Sequence, residues 1–452
     1  MKKRNRIIAM LTAFFCLTAL SSCAQNSPQT PAGEEPAQEA APEENDLQAD
    51  LTLWVYPIGG FGDDVRVNAL IDAFEAEHPG IRVSVSHVDY TTGDDEVNEA
   101  IAKGAMPDII LEGPERLVAN WGAKGLMVDL SDLFAKEAAV DIYSNVVNAC
   151  RAADGAYYEY PLCMTAHCMA INKRIFEEAD ALQYVNLNTH TWTTEDFFKA
   201  VQAVYDSGYE RAGAVFCEGQ GGDQGTRALV NNLFGGRYTN KEHTAYTVNS
   251  AENIQALTAL VEQDGIVFDD TLVGGTEQTA FREGDLAMAF CWNIGAQNDT
   301  TAGNKAGFTN AGDEIIPMLF PSVDGTSTQL CGGIWGFGIF DNGDADKIAA
   351  AKLFIDYMCN DEVQLKENVK ASGYFSVHAN VAGIYAGTEF EQTMNIFTTQ
   401  FMPAMGDYYQ VVPGWADART AWWNCLQRIG AGGDVADEVA AFDKEVQEAV
   451  TQ

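Results

Sequence analysis

The chain has 452 residues, with 27 basic against 65 acidic side chains and a formal net charge of −38. A surface of that sign repels nucleic acid and anionic lipid, which argues against both as partners. Hydrophobic residues make up 47% of the chain, enough for a substantial core, and the length exceeds what one simple core accommodates.

Lys2, Lys3, Arg4 and Arg6 form a positive head, followed by an apolar run from Ile7 to Leu20. That run is shorter than the roughly 20 apolar residues of a bilayer-spanning helix. Small residues in Leu20-Ser21-Ser22 stand where a signal peptidase cuts. Cys23, directly after them, resembles the lipobox of bacterial lipoproteins, in which the thiol receives a diacylglyceryl group. Residues 1–22 are thus expected to be a lipoprotein signal peptide and Cys23 the lipidated residue. Without the four basic residues of the head the net charge is −42. Residues 23–50 are rich in Ala, Pro, Glu and Gln and nearly lack large apolar side chains. They bury too little surface to offset their ordering entropy and read as a disordered tether, held extended by prolines and like charges. No later stretch is long and apolar enough for a transmembrane helix.

From Leu51 the pattern is α/β. Leu51 to Tyr56 reads as a strand running into the glycine-rich turn Gly59-Gly60-Phe61-Gly62. Val67, Leu70, Ile71 and Phe74 recur at helical spacing until Pro79-Gly80 stops them. Ile81 to Ser86 alternates as a half-exposed strand does. A second helix ends near Lys103-Gly104, and Pro107 to Leu111 is the next strand. Strand, helix, strand, helix, strand predicts a parallel sheet, whose ligands bind beyond the carboxyl ends of the strands. The loops Tyr56 to Asp64, Tyr90 to Asp94 and Glu112 to Arg116 then share one rim. A second start follows: Tyr157 to Leu162 leads into Cys168 to Asn172, with a helix from Lys173. Thr191 to Glu195 resembles a capping box. Phe281 to Phe290 reads as helix then strand and Gly332 to Phe340 as a strand, and helical periodicity dominates from Asp344 onward.

Apart from Cys16 in the signal and Cys23, the cysteines are Cys150, Cys163, Cys168, Cys217, Cys291, Cys331, Cys359 and Cys425. Their scattered spacing makes no disulfide scaffold, and without a C-x-x-C pair a structural zinc is not expected. Several lie in apolar runs and read as small buried hydrophobes. No G-x-S-x-G, H-E-x-x-H or Walker loop occurs. No catalytic residue, metal ligand or cofactor is assigned.

The ordered signatures resemble the family 1 extracellular solute-binding proteins, the group containing the maltose-binding proteins, over essentially the whole mature chain. Five places carry the likeness. They are Trp54 opening a unit that ends in Phe74 to Ile81; Met106 to Ile110 with Trp121 to Leu126; Asp154-Gly155 through Tyr160-Pro161-Leu162 to Ile171-Asn172-Lys173; Phe281-Arg282-Glu283-Gly284 through Ala287-Met288 to Trp292; and Pro413-Gly414-Trp415 before the last helix pair. The resemblance implies a two-lobed periplasmic-binding-protein fold of class II type. Each lobe is a sheet flanked by helices, and a hinge joins them across a ligand cleft. Lobe one would be residues 51–163 plus 333–402, and lobe two residues 164–332 plus 403–452. Crossings are expected near Cys163–Cys168, Leu330–Gly333 and Phe401–Met405.

The same resemblance implies capture of a sugar or oligosaccharide for an ABC-type importer, with permease subunits as partners, no enzymatic activity and a monomeric state. The membrane is met through the lipid anchor only. The location implied is the outer face of the cytoplasmic membrane, on the surface of a Gram-positive cell or otherwise facing a periplasm. Sugars need aromatic plates for their ring faces and carboxylate, amide or guanidinium groups for their hydroxyl edges. Glu115 and Arg116 stand where maltose binders hold an acidic-basic pair, and Glu112 replaces the aromatic before it. Trp292 and Trp415 match cleft tryptophans, with Arg419 one helical turn after Trp415. Trp335, Thr165 and His167 near the crossings, Tyr56 and Phe61 in the first rim loop, and Glu218, Asp223 and Arg227 around a glycine-rich loop complete the candidates. Trp422 and Trp423 read as packing residues.

Three rivals remain at this point. The acidic balance suits a polyamine or other cationic solute, and the pairs Tyr157-Tyr158 and Tyr408-Tyr409 suit ferric ion. A lipid-anchored glycoside hydrolase needs two carboxylates about 5–10 Å apart, which spacing in sequence does not test. A surface adhesin would show repeats and sandwich patterning, and neither is seen.

Overall fold

The computed structural model describes residues 47–90, 92–219, 224–300 and 305–450. The signal peptide, Cys23, nearly all of the tether and Asp223 lie outside these residues. Glu43–Gln452 clusters as one compact unit, whose strands are β1 (Ala49–Val55), β2 (Ile81–His87), β3 (Ile109–Glu112), β4 (Tyr160–Met164), β5 (Cys168–Asn172), β6 (Gly213–Phe216), β7 (Ile266–Asp269), β8 (Met288–Trp292), β9 (Ile315–Met318), β10 (Ile334–Ile339) and β11 (Phe375–Ser376).

These strands gather into two sheet systems. A six-stranded sheet has the order β11-β4-β10-β3-β1-β2. Its first half is parallel, β1 pairing with β2 and β3, because helices Asp64–Glu77 and Gly93–Lys103 supply the crossovers that parallel strands require. Alternation in β1 sends Leu51, Leu53 and Val55 into the core. Asp63 caps the first helix by accepting from the Arg66 amide at 2.8 Å, and the helix stops at Glu77, ahead of Pro79 as the pattern requires. The second system holds β8-β5-β9, with both pairs antiparallel, and the parallel pair β6-β7. The amides of Ala287 and Met288 both donate to the Ala212 carbonyl, which joins that pair to the edge of β8.

The sheets are mixed rather than parallel throughout. β10 runs antiparallel to both β3 and β4, because the chain enters it from the other sheet system and not through a crossover helix. Thr193, not Thr191, caps the helix Thr194–Asp206, its hydroxyl accepting from the Asp196 amide at 3.0 Å. Helical periodicity past Asp344 also hid β11, a two-residue strand that follows Gly373 at φ 77°. All eight cysteines of the body are free and buried, as their apolar settings suggested.

Between the two sheet systems the chain runs through closely paired connectors. The Thr165 amide donates to the Gly333 carbonyl at 2.9 Å and the His167 amide to Cys331 at 2.8 Å. On the other side, Leu330 donates to Ala404 at 2.8 Å and Gly406 to Leu330 at 2.9 Å. Gly332 lies in the middle, where a Cβ would stand 1.7 Å from the Thr165 carbonyl oxygen and 2.7 Å from the Met405 methyl. Neither the backbone nor its partners can yield without breaking a connector pair. Gly332→Ala is expected to lower stability by about 1–3 kcal/mol, read as a fall in the midpoint of urea unfolding with an unchanged slope.

Candidate functional site

The carboxyl ends of β1 and β3 bring Tyr56 and Glu112 side by side, and the segment after β2 brings Tyr90 and, from the first turn of helix Gly93–Lys103, Asp94 to the same rim. Arg116, on the short helical turn that Pro114 opens, is the hub. Its Nε donates to Asp94 Oδ1 at 2.6 Å and its Nη1 to Glu112 Oε1 at 2.6 Å. The guanidinium lies over the Tyr56 ring, 4.8 Å from its centroid, and the Tyr56 hydroxyl donates to Asp94 at 2.7 Å. Charge-assisted bonds of this kind fix a side chain in direction as well as place.

Beside this hub stands a set of aromatic faces. Trp335, at the start of β10, stacks on Tyr374 with centroids 4.8 Å apart and planes 7° off parallel. Trp335 precedes Gly336, the register partner of Glu112, while the Tyr90 ring sits 5.2 Å from that of Tyr56. Tyr90 is 47% exposed, and Trp335 and Tyr374 are half-buried, so the plates present surface to a ligand. Gly295, in the short helix Ile294–Asn298 after β8, faces Tyr374 from the second sheet system, where a Cβ would lie 3.6 Å from the ring.

A second cluster, itself buried, packs around Trp415, the first residue of helix Trp415–Gly430. The Arg227 guanidinium lies 4.7 Å from the Trp415 ring, and Tyr238 and Tyr409 meet that ring edge-on at 5.8 Å each. Tyr408 and Tyr409 link the rim to this cluster. The Tyr408 hydroxyl donates to Glu115 Oε2 at 2.5 Å, and Arg227 Nε donates to the Tyr409 hydroxyl at 3.3 Å.

The structure thus brings Tyr56, Glu112, Glu115, Arg116 and Trp335 together, and sets Trp415 in the cluster that Tyr409 joins to them. The other expected residues lie apart from this rim. Trp292 is a core residue: it is fully buried, its indole donates to Gln297 at 2.8 Å, and Arg282 covers its ring at 5.0 Å. Phe61 is likewise fully buried, in the main core. The cation over Trp415 is Arg227 and not Arg419, which is half-buried one helical turn further on. Thr165 and His167 are buried in the connector, with His167 Nδ1 3.9 Å from Cys291 Sγ. Glu218 is exposed beyond β6. The tyrosine pairs do not converge, for Tyr157 stacks on Phe134 at 4.2 Å and Tyr158 bonds Asp154 at 2.7 Å. Among the described residues no group of three or more His, Cys, Asp and Glu is placed to hold a metal ion.

Tyr90, Asp94, Tyr374 and Glu159 were not singled out by sequence reasoning. The rim loop held the first two. For Glu159 the signal was an acid inside the aromatic run Tyr157-Tyr158-Glu159-Tyr160. It is fully buried and neither carboxylate oxygen has a hydrogen-bond partner. Burial pushes its carboxyl well above the usual range, and Glu115 and Glu112 add to the effect. Buried polar atoms without partners among the described residues also include Trp415 Nε1, Gln410 Oε1 and Thr165 Oγ1.

Residues 69–398 match the model of a family described as bacterial extracellular solute-binding protein. No curated protein matches the chain in sequence. Among solved structures the chain is similar to the GacH receptor of Streptomyces glaucescens, studied unliganded and with acarbose, at 17% identity over 90% of this chain and 99% of that one, TM-score 0.70. It is similar to an ABC substrate-binding protein from Listeria monocytogenes in complex with cycloalternan, at 17% identity over 89% and 98%, TM-score 0.69. It is also similar to maltose-bound MalE3 of T. maritima, at 13% identity over 88% and 99%, TM-score 0.66. These likenesses establish the fold, a mixed α/β architecture of the periplasmic-binding-protein type.

The Glu112 carboxyl gives the site a pH signature. Burial pushes it up to about 7, with Arg116 and the Gly113 amide opposing and Glu115 and Asp94 adding. Because the folded value exceeds that of the unfolded chain, the native state binds the extra proton between them, and stability from this group falls as pH rises through about 4.5 to 7. Wild type should therefore lose about 1–3 kcal/mol relative to Glu112→Gln between pH 5 and pH 8, measured by urea unfolding at each pH. A constant difference across that range would show that Glu112 does not titrate there.

Proposed function

Since the chain belongs to the bacterial extracellular solute-binding proteins, we propose that it captures a sugar or oligosaccharide outside the cytoplasm and hands it to an ABC-type importer. The observation that carries this reading is the rim itself. The stacked pair Trp335–Tyr374 and the exposed ring of Tyr90 stand beside the fixed edge groups of Asp94, Glu112 and Arg116, the pairing that ring faces and hydroxyl rows call for. The saccharide ligands of the structural neighbours support the choice of solute. The reading assigns no catalytic step, and the residues of the site act by binding and orienting.

In this proposal the lobes are residues 51–163 plus 333–402 and 164–332 plus 403–452, with the cleft between the two sheet systems. The paired connectors at Thr165–His167, Leu330–Gly333 and Met405–Gly406 support a hinge there. Solute shifts the population toward the closed form because only that form touches it from both lobes. Trp415, Arg227 and Tyr409 would serve lobe two's side, and the protein would act as a monomer docking on permease subunits. Among the described residues no helix is long and apolar enough to cross a membrane. A diacylglyceryl group on Cys23 would hold the body at the outer face of the membrane through the 23–50 tether, since stable anchoring needs strong lipid attachment when the protein surface is acidic.

A thermal-shift and calorimetric panel of mono- and oligosaccharides tests the reading. A bound sugar at a hundred times its dissociation constant should add about 2.7 kcal/mol of stability, and Trp335→Ala should weaken that binding by about 1–3 kcal/mol. Silence from every saccharide would reject the solute class. Separately, Cys23→Ser is expected to move the protein from the membrane fraction to the soluble one, and a variant still bound to membranes would dismiss the anchor.

A further inference from the structure

A cavity of about 240 Å³ lies beside the connectors, and none of the rim residues lines it. Its wall is made by the end of helix Gln224–Phe234, residues 235–240 after it, and parts of the segments 327–331 and 406–409. Bonds within the chain hold this frame. Asn232, buried on the helix, donates to the Gln329 carbonyl at 2.8 Å and accepts from the Gln329 amide at 2.7 Å. His243 Nε2 meets Asp407 Oδ2 at 2.7 Å, which ties the turn after Asn240 to the segment that carries Tyr409.

The lining also has bonding capacity to spare. Among the described residues the Thr239 hydroxyl, the side-chain amides of Asn231 and Gln329 and the Arg237 guanidinium have no hydrogen-bond or ion-pair partner. Thr239 is only 5% exposed, and the cavity is the space it borders. Tyr409, half-buried, adds an aromatic ring.

Hydroxyl and primary amide groups both give and accept hydrogen bonds, as the hydroxyls of a neutral sugar do, and one tyrosine suits one ring face. An amine is served poorly, because the carboxylate on the wall, Asp407, is already held by His243. An anion would meet a single cation, Arg237, on an exposed side chain. The volume falls below the roughly 300–1,000 Å³ of drug-sized sites, so the space suits one ring and not a chain.

We propose that this cavity is a second sugar site, separate from the rim, that takes a single neutral monosaccharide. This rests on the saccharide reading above and extends it. Leu330, Cys331 and Gly406 belong both to the wall and to the connector pairs, so a sugar held there touches the segments proposed as the hinge.

The test uses D-glucose, D-galactose and D-mannose on the full chain, by calorimetry and by hydrogen exchange of residues 228–240. At least one of the three is expected to bind the wild type and to slow exchange in that segment. Its affinity should fall at least about tenfold in Asn231→Phe, which fills the cavity, and about threefold in Gln329→Ala, which keeps the backbone bonds to Asn232. Trp335→Ala should leave it unchanged. If Asn231→Phe does not fold, Gln329→Ala decides the matter. A monosaccharide whose affinity depends on Trp335 and on neither Asn231 nor Gln329 would overturn the inference. So would a protein that binds oligosaccharides and none of the three monosaccharides. Either result leaves the saccharide reading standing, whereas no response to any saccharide would overturn both.

Discussion

Three lengths of chain have to pass each other within hydrogen-bonding distance of their backbones, and Gly332 sits where they are closest. Everything that faces the site is placed by that constraint. The Thr165–Gly333 and His167–Cys331 pairs on one side and the Leu330–Ala404 pair on the other hold the segments as a narrow ribbon of main chain. Because the bonds are between backbones, the side chains are released for other tasks. Thr165 and His167, candidates for ligand contact from their position in sequence, turn out to spend their main chains on the ribbon and their side chains in its packing. The proposed hinge falls on this ribbon, because a few connector residues can absorb a backbone change that the sheets on either side, buried strand by strand, cannot.

Much of the fold was legible because its cues are local. The strict alternation of Ile81 to Ser86, the stop at Pro79-Gly80 and the strand after Pro107 each report backbone geometry that the residues impose on themselves. The direction of β10 was not legible. Whether a strand lies parallel or antiparallel depends on where the preceding segment comes from, and Ile334–Ile339 arrives from the other sheet system across some 160 residues that its own sequence does not describe. The site divided in the same way. Glu112, Glu115 and Arg116 lie within five residues and follow a buried strand, so their loop could be put at the rim from pattern alone. Trp292 could not be judged so. An indole in the run Ala287 to Trp292 suits a cleft or a core equally, and the outcome turns on Gln297 and Arg282 arriving from elsewhere to close it over.

Burying charge at the rim is costly, and the structure shows two answers to it. Arg116 is fully engaged, with carboxylates on two of its nitrogens and an aromatic face beneath it, so its desolvation is offset by short bonds of good geometry. Glu159 has no such partners, and burial raises its proton affinity, with the neighbouring Glu115 and Glu112 adding to the effect. Paired and unpaired groups therefore behave differently toward anything that enters. The paired set keeps its shape and supplies orientation, while the unpaired set has bonding capacity still to give.

Tyr408 and Tyr409 show how these properties become linked to the connector. They are consecutive residues in a non-helical run, and consecutive side chains on such backbone diverge, which lets one reach Glu115 and the other Arg227. The rim and the Trp415 cluster are thus tied to the same short segment, four residues past the Met405–Leu330 bridge at most. A group that engages Glu115 competes with or reinforces the Tyr408 hydroxyl, and one that meets Trp415 presses on the ring that Tyr409 abuts. Whatever occupies the rim acts on two neighbouring tyrosines whose backbone is part of the ribbon. In the proposed reading, coupling between occupancy and hinge needs no longer path than that, because the residues proposed to meet the solute and those proposed to bend are within one turn of chain of each other.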